Sequence, residues 1–281
     1  MYKPLAIAAL LSVTAQAWAH DAPERVAALD YATLDILDNL DQDEHIAGVA
    51  QSTLPEHLSA FASEEYADVG TLKEADMAAL GAIEPDEILI SGRLEAQRDA
   101  LEEIAPVYSS ANAGDTTWDQ LETRVDQLAE RFHIRDEGDQ ALEDLRHFLD
   151  QRLATIDDSP SVLVVTHNDG HFSAQNNAIV HDLMGLAAPS LPDDVTPVTR
   201  GERTFLPMTP AQIQATGADL VWIVDRSAAI GQAGLDLATL QQDIGADTPL
   251  AVGSPRLWYL AGQGLASTRL QVEEVMTALA R

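Results

Sequence analysis

Apolar positions along the chain fall into two regimes. In Arg25-Val-Ala-Ala-Leu-Asp30, Ile88-Leu-Ile-Ser91, Ser161-Val-Leu-Val-Val-Thr166 and Leu220-Val-Trp-Ile-Val-Asp225 they form short unbroken runs. Runs of this kind belong to strands covered on both faces. Elsewhere they recur every three or four residues. Trp118, Leu121, Val125, Leu128 and Phe132 make one such stripe, and Leu142, Leu145, Leu149, Leu153 and Ile156 make another. Each predicts a helix with one core-facing side. The first of these two helices is expected to open on a capping box of Thr117 and Gln120, and the second on Asp139. The second, stopped by Asp157-Asp-Ser-Pro160, would be about 27 Å long. Further helices are predicted at Tyr31–Leu40, Thr71–Ala82, Asn177–Leu186, around Ala211–Thr216 and at Leu265–Leu279, with a short strand at Pro249–Val252.

Strands alternating with helices imply a parallel or mostly parallel sheet. Here the alternation stops midway for two helices and then restarts. One unit also occurs twice: Glu87-Ile-Leu-Ile-Ser-Gly-Arg93 returns as Leu220-Val-Trp-Ile-Val-Asp-Arg226, each behind a helical stretch and an acidic turn. The predicted fold class is therefore α/β, two lobes with mostly parallel sheets joined by one long rigid helix. The expected division is an N-terminal lobe at 20–137, a bridging helix at 138–157 and a C-terminal lobe at 158–281. A single doubly wound domain is the alternative.

Residues 1–19 read as a cleavable signal peptide. Lys3 supplies the positive start, Leu5 to Val13 the apolar run, and Ala17-Trp-Ala19 the cleavage site. The run is too short to span a bilayer. The chain has no cysteine, so neither a disulfide nor a lipid anchor on cysteine is available, which favours a freely diffusing periplasmic protein, expected as a monomer. The formal charge is −30, from 46 acidic and 16 basic residues. Charge of that sign and size argues against nucleic acid or an anionic membrane as partner. It also makes each arginine informative, because an anionic ligand would have to find a positive pocket in a repulsive field.

Arg93 and Arg226 share a context, an apolar strand followed by arginine. A lone arginine there is commonly a surface ion-pair partner. Two in matched positions suggest a pair of guanidinium forks aimed at one cleft, since ligands of open α/β sheets sit at the carboxyl ends of the strands. In Ser254-Pro-Arg-Leu-Trp-Tyr-Leu260, an extended chain would turn Trp258 and Tyr259 to opposite sides. The phenol could then reach a ferric ion and the indole could stack on a ligand, or Trp258 could simply pack in the core. His167 and His171, within Thr166-His-Asn-Asp-Gly-His171, and His181 beyond them offer either a zinc or manganese site or histidines that line the cleft by hydrogen bonding. No Gly-x-Ser-x-Gly elbow, phosphate-binding loop or cysteine nucleophile is present, and nothing here points to an enzyme.

These segments, together with Val69-Gly-Thr-Leu-Lys-Glu74, Val224-Asp-Arg226 and Trp258-Tyr-Leu260, resemble the periplasmic binding proteins of ABC importers for iron-siderophores, haem and cobalamin, and the ferric-siderophore branch above all. The resemblance runs from about Arg25 to Leu279. It implies two α/β lobes bridged by a long helix, no intrinsic cofactor, a ferric siderophore as transported ligand and an inner-membrane ABC permease as partner. It also implies that Arg93 and Arg226 hold the anionic chelate and that Tyr259 completes the metal's coordination through the bound chelate. Tyr31, His167 and Trp258 are the further ligand-binding candidates. Two features depart from the branch. The loop Ala174-Gln-Asn-Asn177 lacks the arginine often found there, and Arg200-Gly-Glu202 stands where a histidine segment is usual. Arg200 or Arg203 is expected to supply the replacement charge. Haem, cobalamin or a free metal ion is the alternative cargo, and a secreted metal-dependent hydrolase the alternative class.

Overall fold

The computed structural model describes residues 22–109, 114–156, 159–201 and 203–280. The segment read as a signal peptide lies outside the described residues. The N-terminal half contains β1 (Val26–Leu29), α1 (Tyr31–Asn39), β2 (Ile46–Val49), β3 (Ala67–Asp68), α2 (Met77–Ile83), β4 (Glu87–Ile90), α3 (Arg98–Glu102) and β5 (Val107–Ser109). Its strands pair in the order β3-β2-β1-β4-β5, all parallel.

Two helices follow, α4 (Thr117–Arg131) and α5 (Arg135–Leu153). The long helix expected between the lobes is α5, 19 residues and about 28 Å in length. It starts four residues ahead of Asp139 and packs along α4. Gly138 permits the close approach, because a Cβ there would sit 2.7 Å from the Cβ of Ala129. The capping box of α4 is Thr116 with Asp119, one residue upstream of the expected pair. The Thr117 hydroxyl is engaged instead by Asp182 and the Ala178 carbonyl.

The C-terminal half contains β6 (Val162–Asn168), β7 (His171–Ala174), a π-helical turn at Ala178–Leu183, β8 (Val198–Arg200), β9 (Arg203–Met208), α6 (Pro210–Ala215), β10 (Leu220–Asp225), α7 (Arg226–Ala229), α8 (Leu237–Ile244), β11 (Leu250–Val252), α9 (Pro255–Tyr259) and α10 (Leu265–Leu279). The sheet order is β11-β10-β6-β7-β9-β8. The first three strands are parallel, and β7, β9 and β8 are added by antiparallel pairing.

The unbroken apolar strands do lie under cover on both sides. Val162 and Val164 of β6, with Leu220, Trp222 and Val224 of β10, face a large core that extends into the N-terminal sheet. Leu163, Val165, Val221 and Ile223 face a smaller core under α6 and α8. This alternation is the two-residue period of a strand.

Three local expectations change. The helix expected over Thr71–Ala82 begins only at Met77, because Asp76 accepts from the Ala78 and Ala79 amides and fixes the start there. Asn177–Leu186 forms a π-turn rather than an α-helix. Within it His181 accepts the Asn177 amide on Nδ1 and bonds the Val162 carbonyl through Nε2. The segment expected to be extended at Trp258-Tyr259 is the helix α9, with Pro255 in its first turn, where proline's fixed φ suits a helix start.

The two halves are tied through α1 and α10. Asp35 is fully buried and accepts from the Ala266 and Ser267 amides at 2.8 and 2.7 Å. A carboxylate at a helix N-terminus satisfies donors that the helix leaves open and meets the positive end of its dipole. Gly264 makes room, since a Cβ there would lie 2.4 Å from Asp35 Cγ.

Candidate functional site

β4 runs parallel to β1 in one sheet and β10 parallel to β6 in the other, and the arginines that follow β4 and β10, Arg93 and Arg226, converge on one residue. The Arg93 guanidinium lies over the Tyr259 ring at 5.6 Å and donates through Nη2 to the Tyr259 carbonyl at 3.1 Å. The Arg226 guanidinium also lies 5.6 Å from the ring centroid, and its Nε donates to the Tyr259 hydroxyl at 2.8 Å. The two guanidinium carbons therefore cannot be farther apart than twice that distance. Each comes from a different sheet. Arg93 is exposed and Arg226 partly buried.

The local routes to these positions differ although the sequences match. Arg93 follows β4 through a turn at Ser91-Gly92, whereas β10 runs two residues longer and Arg226 opens α7 directly. Behind Arg226 stands a fixed network. Arg226 Nη1 donates to Asn168 Oδ1. Next to it, Asp225 accepts from His167 Nδ1 at 2.9 Å, from the Ala228 amide at 3.1 Å and from the Leu235 amide at 2.6 Å. Burial pushes the Asp225 carboxyl up, but these hydrogen bonds outweigh it and hold the group below its usual range. His167 is buried, and its Nε2 accepts the Gly170 amide at 3.1 Å. Both ring nitrogens are thus spent, Nδ1 on Asp225 at the end of β10 and Nε2 on the hairpin between β6 and β7. Among the described residues no group of three or more His, Cys, Asp or Glu side chains is arranged to hold a metal ion.

Other expected residues sit elsewhere. Trp258 is buried, packs on Trp222 at 4.8 Å between centroids and donates its indole N–H to Glu274 at 2.7 Å. Tyr31 is fully buried, and its hydroxyl donates to the Ala50 carbonyl at 2.7 Å. Burial raises the Tyr31 phenol above its usual value. Arg200 pairs with Arg203 across the β8–β9 hairpin, and both are exposed. Because Met208 lies opposite Phe172 and Leu206 opposite Ala174, β9 runs towards the site end of the sheet. Arg203 begins that strand five residues before Met208, roughly 17 Å away along it. Neither arginine of this hairpin joins the cluster.

Beside Arg93 opens a cavity of about 370 Å³, lined by Asp30, Ala32, Leu72, Ser91, Gly92, Ser109, Arg124, Leu260, Gly262 and Gln263 as well as Arg93. Arg226 and Tyr259 stand at its side rather than in its wall. Arg124 went unnoticed in the sequence. The available signal was an arginine within the apolar stripe of α4, one residue before Val125.

A profile of the periplasmic binding protein family matches residues 26–251. The chain belongs to that family. Among curated relatives, it is 27% identical over 272 residues to the petrobactin-binding protein YclQ of Bacillus subtilis, covering 92% of this chain and 83% of the relative. It is 24% identical over 271 residues to the ferric-anguibactin-binding protein FatB of Vibrio anguillarum, covering 90% and 82%. The crystal structure of YclQ superimposes with a TM-score of 0.82 at 26% identity over 93% of both chains. The siderophore-binding protein BauB, solved with two acinetobactin molecules and ferric iron, superimposes with a TM-score of 0.77 at 22% identity over 92% of this chain and 94% of that one. The last likeness establishes the fold alone, two α/β lobes with the helix pair α4–α5 between them. Members of the family are solute-binding proteins rather than enzymes. No helix among the described residues is long and apolar enough to cross a membrane.

Proposed function

We propose that this periplasmic binding protein captures an anionic ferric-siderophore complex and passes it to an inner-membrane ABC permease. The observation that carries the reading is the pair of guanidinium groups, one from each sheet, meeting on Tyr259. Over the whole chain acidic residues outnumber basic ones almost three to one. A local pair of positive forks on such a molecule suits a ligand rich in oxygen anions. Two of its relatives are named for the cargo they bind, petrobactin and ferric anguibactin.

In this reading the lobes at 20–137 and 158–281 flank the bridging helix at 138–157. The protein works as a periplasmic monomer released by cleavage of residues 1–19. Arg93 and Arg226 neutralise the chelate from its two sides, and Tyr259 touches the metal or the chelator ring. Tyr259 also keeps the two like-charged groups in place before cargo arrives, so that less ordering remains to be done on binding. His167 and Asn168 act behind Arg226, through the β6–β7 hairpin, rather than on the cargo.

The test is a tryptophan-fluorescence and calorimetric titration of iron-free protein with ferric siderophores, haem, cobalamin and zinc. Tight binding of one or more ferric siderophores is expected. Charge-assisted hydrogen bonds of this kind contribute about 1.5–3 kcal/mol each, so Arg226→Ala should weaken binding by about 10- to 100-fold. Binding of haem or cobalamin in preference to every ferric siderophore would overturn the reading, as would an Arg226→Ala protein with undiminished affinity.

A further inference from the structure

We infer that His167 is a positioning residue that makes capture proton-sensitive: only as neutral imidazole does it hold the β6–β7 turn in the shape that backs Arg226. The inference rests on the siderophore-capture reading and adds its regulation by pH. His167 lies near the carboxyl end of β6 and is 4% exposed. An amide N–H can only donate, so the Gly170 amide, 3.1 Å away, must meet a lone pair on Nε2. The ring proton then sits on Nδ1, facing the Asp225 carboxylate at 2.9 Å.

The turn shaped by this bond is a tight one. Asn168 pairs with His171, and the two residues between them, Asp169 and Gly170, have φ of 50° and 75°, as two-residue hairpins of the primed type need. Three contacts hold it from outside the strands. The Gly170 amide donates to His167, the Asp169 amide donates to Ser227 Oγ at 2.8 Å, and Asn168 Oδ1 accepts from Arg226. A second proton on His167 would set an N–H at Nε2 against the N–H of Gly170. One hydrogen bond would be replaced by two opposed donors, one of them on a buried ring. The tie to Ser227 would survive, so the turn would swing about Asp169 and draw Asn168 away from Arg226.

The charged and titratable groups on the elements packed against His167 are Asp225 ending β10, Arg226 opening α7, His171 in β7 and Asp169 in the turn. Among the described residues only Asp225 bonds the ring. Asp225 is held below the usual carboxylate range against the upward push of burial. It therefore stays negative throughout the interval, about pH 5 to 8, in which histidines change charge. The locked turn excludes the extra proton and the loosened turn accepts it. Affinity is then complete above the histidine's titration and falls as pH drops through it.

NMR of the ligand-free protein tests the switch without cargo. Between about pH 7.5 and about pH 5.5, the His167 ring, the Gly170 amide and the Arg226 Nε–H should shift along one titration curve. In His167→Gln, whose amide oxygen accepts a hydrogen bond but takes up no proton, the Gly170 and Arg226 signals should stay still. Calorimetric titration with ferric petrobactin and ferric anguibactin at the same two pH values then tests capture. Each chelate's own titration is common to both proteins, so the ratio of affinities at the two pH values is compared. The fall in acid should be about 3- to 10-fold greater for wild type than for His167→Gln. A ring that stays neutral, or one that titrates while Gly170 and Arg226 do not respond, would overturn the inference and leave capture standing. Equal ratios, or a wild type that gains on the variant in acid, would do the same. If His167→Gln fails to fold, the wild-type spectra decide. A wild type that binds neither chelate nor any other ferric siderophore would overturn capture itself, with the linked shifts still deciding the turn.

Discussion

Tyr259 is the residue on which the site turns, because it presents three different features to two arginines. Its ring face attracts both guanidinium groups, its hydroxyl accepts from Arg226, and its carbonyl accepts from Arg93. Tyr259→Phe removes only the hydroxyl. Arg226 should then be held less firmly, and affinity for the ferric chelate should fall by about 3- to 10-fold, less than for Arg226→Ala, with thermal stability nearly unchanged. Tyr259→Ala, which also removes the ring, should fall further, and titrations of the two variants side by side check the order. A second consequence concerns acid. Asp225 has its carboxyl held below the ordinary value of 3.8 by its hydrogen bonds, against the opposing effect of burial. A lowered carboxyl stabilises the fold fully above its usual value, and that stability disappears as pH falls through the lowered one. Unfolding temperatures followed from pH 6 downwards should therefore drop more steeply for wild type than for Asp225→Asn, the two curves converging at the acid end. Asp182 and Asp219 shift the same way through Thr117 and Ser161, so the wild-type slope will not vanish entirely in the variant. At this scale the sequence was only half legible. Charged residues directly after buried strands stand out, which is why Arg93 and Arg226 could be found. Arg124 hides in a stripe that reads as core, and Trp258 and Tyr259 can be told apart only once the segment is known to be helical.

At the scale of elements, the joint between α1 and α10 depends on the missing side chain of Gly264. A methyl group there would lie 2.4 Å from Asp35 Cγ, and neither the buried carboxylate nor the helix end it caps has free space to yield. Gly264→Ala should cost about 1–3 kcal/mol, the usual range for forcing atoms into a packed interior. For a chain of this size that is several degrees of unfolding temperature, readable by calorimetry or circular dichroism. Gly81 is a suitable control, since its added Cβ would meet nothing within 4 Å and its place inside α2 favours alanine. Gly81→Ala should leave the protein unchanged or slightly more stable. The same pair of glycines shows what a sequence discloses about elements. Periodicity is a property of a window, so the stripes of α4 and α5 and the runs of β1, β4, β6 and β10 could be read directly. Close approach between distant segments is not, so neither Gly264 nor Gly138 announces its contact. The strands β2, β3 and β5 were missed because their stabilising pairs lie in other parts of the chain, and β7, β8 and β9 because their short hairpins carry no long apolar run. β8 and β9 run through a stretch, Pro189 to Pro210, whose prolines suggest only loop.

At the scale of the whole molecule, the dominant fact is a charge of −30 surrounding a small positive cluster. These two features act over different distances. Beyond about 10 Å at 0.1 M ionic strength, fields from exposed charges are largely screened, and at 1 M the reach shrinks to about 3 Å. An anionic chelate approaching from solution meets the repulsive field of many carboxylates first. Only on arrival does it meet Arg93 and Arg226, at contact distances where salt screens least. Raising ionic strength should therefore quicken association, the reverse of the decline usual where opposite charges steer a ligand in. Dissociation should respond less, because the contacts that govern it are short and partly desolvated. Stopped-flow quenching of tryptophan emission by a ferric chelate, between about 0.02 and 0.5 M sodium chloride, measures both rates. The expected result is an association rate that rises with salt while the unfolding temperature of the free protein also rises, as self-repulsion is relieved. An association rate that falls with salt would mean that the positive cluster dominates the field at long range. The acidic surface would then be electrostatically irrelevant to how cargo reaches the cleft.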